Sequence, residues 1–251
     1  MVACSDIPTA PDHPFSIELL PPPFPAIVIG DTLRGPDGTA VPLRAAVYNA
    51  SGDLIEEAEA SFIIPTPGAT ILEGGYMRAD SVVGVDGKVR VVAQAGGLQS
   101  LPRELYVVHA PDSLERTEDE ELVLEYDLLP TPDISVPLKV RVSRADDGST
   151  SGRSGVGHWP VRYTLMVRGE EVAPGDSSLA WLVQESALTA ATADTTGTSG
   201  DAALRVRVNP YNTEGIAGLD SVEVYVSATS PGVPLAGSPR RFVIRLRPAT
   251  P

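Results

Sequence analysis

One cysteine, three histidines and a scatter of serines are the nucleophiles and bases on offer in this chain of 251 residues. Cys4 stands alone, so neither an intrachain disulfide nor a zinc site built on several thiolates can form. His13, His109 and His158 lie far apart, none at metal-ligand spacing from another. No serine occupies a Gly-x-Ser-x-Gly elbow; Ser154, within Gly152-Arg153-Ser154-Gly155-Val156-Gly157, has the wrong spacing and lies in a loop. Phosphate-loop and dinucleotide patterns also fail, because they need a strand that leads into a helix. With 33 acidic residues, a carboxylate pair can be found anywhere, and no single pair stands out as an acid–base dyad. Asp146-Asp147-Gly148 offers hard oxygen ligands, but no Asp-x-Asp-x-Asp-Gly calcium loop surrounds it. Trp159 and Trp181 read as core packers, and aromatic residues are only 5% of the chain, thin for a sugar-stacking platform. The reading is therefore of a protein with no catalytic residue, no metal site and no cofactor, and not of an enzyme.

Cys4 has another chemistry open to it, since a thiol can carry a lipid. It follows Met1-Val2-Ala3 and precedes Ser5-Asp6, with a small residue before it and an apolar one before that. This run resembles the tail of a bacterial lipoprotein signal, in which the cysteine becomes the lipidated N-terminus. Met1 stands where leucine is usual, and the match covers four residues. The resemblance implies a lipid anchor on Cys4. Residues 7–14 hold Pro8, Pro11 and Pro14 among polar neighbours, which suits an extended tether. No run approaches 18 consecutive apolar residues, so no helical membrane span is read.

The elements that would position any site come from punctuation and charge. There are 24 prolines and 23 glycines, too many for long helices and suited to short strands joined by turns. The net charge of −14 disfavours nucleic acid as a partner, since phosphates call for a basic face. That charge is uneven. Residues 111–133 carry nine acidic side chains against Arg116 alone, whereas residues 134–251 have 11 acidic and 12 basic ones. The division predicted is a tether at 1–14, a domain at 15–110, an acidic linker with a strand-like stretch at 111–133, and a second domain at 134–251. A solvated linker that repels itself is the plain reading of the acidic run. A docking strip for a basic partner or for loosely held cations is the functional one.

Period-two alternation supplies the strands. In the first domain Val41, Leu43, Ala45 and Val47 share a face. So do Ala60, Phe62 and Ile64, and Val89, Val91 and Ala93. Asn49-Ala50-Ser51-Gly52-Asp53 and Gly96-Gly97 are turns. The order Asp31-Thr32-Leu33, Val41 to Asn49, Gly75-Tyr76-Met77-Arg78-Ala79 and Val89 to Gly97 resembles a group-2 bacterial immunoglobulin-like domain. Phe62 stands near the place of the family's usual tryptophan. In the second domain Val136, Leu138, Val140 and Val142 alternate, as do Val161, Tyr163, Leu165 and Val167. Asp194 to Gly200 feeds a strand with Leu204, Val206 and Val208 inward and Arg205 and Arg207 outward. That turn and strand are similar to those of group-1 bacterial immunoglobulin-like domains. The fold class expected is all-β, as two tandem immunoglobulin-like β-sandwich domains.

The function that follows is a non-enzymatic structural or interaction module of the bacterial cell envelope, periplasmic or at the cell surface. It would be held to a membrane by the lipid on Cys4 and would bind protein partners, as an accessory subunit of a larger membrane complex. The rival reading is a surface module that binds polysaccharide or calcium.

Overall fold

The computed structural model describes residues 13–84, 86–126, 134–146, 152–209, 211, 212, 215, 216 and 218–248. The chain divides into two units, Met1–His109 and Ala110–Pro251.

In the first unit the strands are β1 (Ser16–Leu19), β2 (Ala26–Val28), β3 (Ala45–Tyr48), β4 (Ser61–Ile63), β5 (Ala69–Ile71), β6 (Met77–Ala79), β7 (Lys88–Ala95), β8 (Leu98–Gln99) and β9 (Arg103–Val108). One layer holds the antiparallel pairs β1–β3 and β5–β6. Backbone hydrogen bonds extend this layer, from Leu43 N ahead of β3 to Gly75 O ahead of β6 (2.9 Å) and from Leu33 N, between β2 and β3, to Met77 O on β6 (2.8 Å). The other layer runs β2-β9-β7-β4, with β2 parallel to β9. Leu19, Leu33, Leu43 and Met77 from the first layer close on Val89, Val91, Ala93, Leu105 and Val107 from the second. The predicted alternation of β7 is thus the core face. The chain crosses between layers after β1, where prolines 21–23 and 25 have no N–H with which to continue the β1–β3 ladder.

Two turns have the chemistry expected of them. The Asn49 Oδ1 accepts from the N–H groups of Ser51 and Asp53, both at 2.9 Å, folding the side chain into the turn. Gly96 and Gly97 both take positive φ (55° and 84°), the conformation a two-residue hairpin between β7 and β8 requires.

The second unit repeats the plan. Its strands are β10 (Ser113–Arg116), β11 (Glu121–Tyr126), β12 (Leu138–Ala145), β13 (Arg153–Gly155), β14 (Pro160–Val167), β15 (Glu170–Glu171), β16 (Ala180–Gln184), β17 (Ala193–Thr195), β18 (Asp201–Val208), β19 (Ser221–Ser227), β20 (Thr229–Ser230), β21 (Val233–Pro234) and β22 (Arg240–Pro248). One sheet runs β10-β12-β18-β16, with β13 beside β12. The other runs β11-β22-β19-β14-β15, with β17 beside β14. Again the leading strand pairs antiparallel in one sheet (β10 with β12), then crosses to lie parallel to the last strand of the other (β11 with β22). Both units are immunoglobulin-like β-sandwiches, so the chain is all-β with two such domains in tandem.

Three expectations need correction. The acidic segment is more than a linker over residues 113–126: β11 lies where the strand-like stretch was expected, β10 precedes it, and Leu114, Leu124 and Tyr126 are buried in the second core. Residues 127–133, the rest of that segment, lie outside the described residues. Val136 is exposed, because the strand begins at Leu138; the buried residue nearby is Ser135, whose Oγ accepts from Val206 N at 2.9 Å and donates to Val136 O at 2.7 Å. The loop expected around Ser154 is partly a hairpin arm, since β13 (Arg153–Gly155) pairs with β12.

Candidate functional site

The described residues singled out for chemistry sit on separate elements. Cys4 lies outside the described residues. His13 precedes β1, His109 follows β9, and His158 sits in the turn before β14 with φ at 59°. Among the described residues no group of three His, Cys, Asp or Glu side chains could hold a metal ion. Asp146 accepts a hydrogen bond from the Ser154 hydroxyl; Asp147 and Gly148 lie outside the described residues.

The tryptophans part company. Trp159 is buried at the start of β14 and its indole N–H donates to Thr229 O at 3.0 Å. Its backbone N–H meets Thr196 Oγ1 at 2.8 Å, and that hydroxyl donates to Val156 O at 2.7 Å. Trp181 is not in the core. It stands directly across from Arg207 on the paired strand, and the guanidinium lies 5.5 Å from the ring centroid. The alternation on β16 puts Ala180 and Leu182 inward, which sends Trp181 to the outer face. Beside it a cleft of about 280 Å³ opens between the rims of β14 and β16, walled by Trp181, Leu165, Val172, Thr192 and Asp176.

The acidic run turns out to be held by arginines. Arg153 on β13 pairs with Asp112 and, at 3.6 Å, with Glu115. Arg116 meets Glu120 at 2.8 Å across the bend between β10 and β11. Arg245 on β22 reaches Glu121 at 3.3 Å, and Arg241 lies 3.8 Å from Glu120. Each exposed pair adds little alone, about 0.2–1 kcal/mol. Their arrangement brings an acidic leading strand against a basic closing strand and away from like charge. Of the strip's described acidic residues, Asp112, Glu115, Glu120 and Glu121 are thus paired within their own unit.

Three other carboxylates are drawn below their ordinary titration range by arginine. Asp31 is bonded by Arg34 at 2.7 Å, Asp201 by Arg141 at 2.8 Å and Glu223 by Arg241 at 2.5 Å. A carboxylate whose folded-state pKa is depressed stabilises the fold above its unfolded value, about 3.9–4.3, and that contribution fades as pH falls through the folded value. The melting temperature is therefore expected to hold level from pH 7 to 5 and to drop below about pH 4. Asp201→Asn should lower the plateau slightly and make the acid drop shallower. Thermal melts of both proteins across that range check it, and equal acid drops would refute the role of Asp201.

The first unit carries the feature that sequence reading passed over. Between β3 and β4 the loop holds Leu54, Ile55, Glu56, Glu57, Ala58 and Glu59. With Pro14, Ala95 and Gly96 these residues wall a hollow of about 570 Å³. A second hollow of about 480 Å³ begins at Glu59 and runs along Ala60, Ser61 and Gln94 to the β7–β8 turn. The signal was visible as three glutamates in four positions with no basic residue near, ahead of an uncharged strand.

No family model matches this sequence, and no curated protein matches it. Among solved structures the chain aligns with the Yersinia pseudotuberculosis adhesin InvE at 12% identity and a TM-score of 0.32, over 92% of this chain and 58% of that one. It aligns with domains 5–6 of the S-layer protein SbsC at 10% identity and a TM-score of 0.29, over 94% and 99%. The D0-D1 domain of intimin gives 14% identity and a TM-score of 0.29, over 92% and 97%. The chain thus spans less than two thirds of InvE. At such scores these overlays argue for no shared role, and the assignment of both units as immunoglobulin-like sandwiches rests on their own strand pairing.

Proposed function

We infer that this chain is a non-enzymatic interaction module of a bacterial cell envelope. A lipid on Cys4 holds it to a membrane, and residues 5–14 serve as its tether. Its partners are proteins of a larger membrane complex, met through strand edges and loop ends. The first unit is of the group-2 bacterial type and the second of the group-1 type. The observation that carries the reading is the sandwich frame common to both units. In each, the side chains between the sheets form an apolar core, so recognition falls to the rims and loops. The N-terminal Cys4 with its proline-bearing follow-on supports the membrane address.

The test is the intact mass of the protein purified from native membranes. A diacyl or triacyl adduct on Cys4, with Met1 to Ala3 missing, is expected. An unmodified Met1 would refute the tether. A detergent pull-down that returns only the monomer would refute the partner-binding role.

A further inference from the structure

The fourth strand is an open edge. β4 pairs only with β7 among the described residues, in the register Ser61↔Gln94, Phe62↔Ala93 and Ile63↔Val92. The β7–β8 turn and the bond from Ser100 N to Ala93 O (2.9 Å) show that Ala93 and Ala95 aim their backbone groups at β8 and its continuation. Val92 and Gln94 therefore aim theirs at Ile63 and Ser61. By the same alternation the N–H and C=O groups of Ala60, Phe62 and Ile64 point away from the sheet. No backbone hydrogen bond within the described residues engages them.

This edge is poorly guarded. Natural edges carry charges or prolines within the strand to discourage pairing. From Ala60 to Ile64 there is neither; the nearest are Glu59 and Pro65 at its two ends. Phe62 and Ile64 pack against the core, and Ile63 leaves 39% of its surface exposed. Upstream, Glu56, Glu57 and Glu59 enter no ion pair among the described residues, although Asp31, Asp80 and Glu104 in the same unit each hold a cation. The hollow they line adds aliphatic walls from Leu54 and Ile55.

We propose that a protein partner adds an extended, lysine- or arginine-bearing segment to β4 as a further strand of the β2-β9-β7-β4 sheet. Main-chain hydrogen bonds to Ala60, Phe62 and Ile64 supply the pairing. The cationic side chains lie over Glu56, Glu57 and Glu59, and alternate aliphatic ones cover Ile63. This rests on the reading of the chain as a protein-binding module and names its surface and the chemistry of the partner.

The probe is an octapeptide of alternating lysine and valine, set against its glutamate–valine counterpart, with the full chain in solution. Amide hydrogen exchange followed by NMR should slow at least tenfold at Ala60, Phe62 and Ile64 with the lysine peptide only. The combined Glu56→Gln, Glu57→Gln and Glu59→Gln variant should bind that peptide at least tenfold more weakly while melting at the same temperature. Equal binding of both peptides, or no protection of the three amides, overturns the proposal. So does protection without peptide alongside a dimer in sedimentation, which would make a second copy the occupant. If Ile63→Lys protein still retrieves its partners from membranes, this edge is not the surface, and the envelope-module reading survives.

Discussion

Replacing Leu114 by alanine is expected to remove about 2–5 kcal/mol of the second unit's stability. Leu114 has no exposed surface, although it sits between Ser113 and Glu115 in the most acidic part of the chain. Its strand pairs with β12, where Leu114 stands opposite Val142 in the same core. Truncation would leave a cavity in the sandwich, and the surrounding strands cannot close on it without breaking their ladders. In a solvated linker the same substitution would stay within about 0.5 kcal/mol. Both tryptophans of the chain lie in the second unit, so urea unfolding read by tryptophan fluorescence reports that unit alone. Val123→Ala, on the exposed side of the next strand, serves as the control and should leave the midpoint nearly unchanged. An unchanged midpoint for Leu114→Ala would return residues 111–126 to the status of a linker.

The second large effect is expected at Gly155. This glycine closes β13 opposite Ser143, and a Cβ added there would land on the carbonyl oxygen of Ser199. Facing it is Gly200, with φ at 85°, whose own Cβ would lie 2.5 Å from Val142 O and 2.7 Å from Gly155 Cα. Three backbones meet here, tied by bonds from Val142 N to Gly200 O and from Val156 N to Val142 O, both 2.9 Å. Since backbone has to move, Gly155→Ala should cost about 3 kcal/mol, the upper part of the range for overpacking. Gly200→Ala should cost at least as much, because positive φ adds about 1–2 kcal/mol for a residue with a side chain. Gly169→Ala separates the two causes. It has positive φ (81°) but open space around it, so only the conformational part should appear. Chemical denaturation of the three variants decides the matter, and a near-neutral Gly155→Ala would show that the close approach of β13 to the 197–200 turn is wrong.

Alternation made the central strands legible. Val89, Val91 and Ala93, and Leu204, Val206 and Val208, are buried as their spacing implies, because a strand with one solvated face must repeat every second residue. Pairing was less legible, since it depends on residues distant in the chain. The acidic run looked like a linker because its arginine partners on β13 and β22 are remote in sequence, and net charge outweighed Leu114 in the reading, although a strand-like stretch was expected within it. Trp181 was misplaced for a related reason. Its large apolar ring suggested the core, but the phase of β16 and the facing Arg207 put it outside. The strand around Phe62 was read correctly as a strand. That it lies at the end of its sheet is a property of sheet order, and no local pattern records it. The site proposed for β4 therefore became visible only once the order β2-β9-β7-β4 was known, whereas the glutamates beside it could have been noticed at the start.

The crossing of the leading strand in each unit also decides how a pull along the chain is borne. In the second unit Glu121–Tyr126 lies parallel to Val243–Pro248, so tension between the unit's two ends draws neighbouring strands past each other in opposite directions. Hydrogen bonds across such a pair share the load in shear, where an antiparallel hairpin pulled from its open end would release them one after another. In the first unit Ala26–Val28 beside Tyr106–Val108 gives the same geometry over a shorter length. A module tied at one end to a membrane and gripped elsewhere by a partner would thus meet force with its parallel seams, the same seams that the proline run and the acidic bend bring into being.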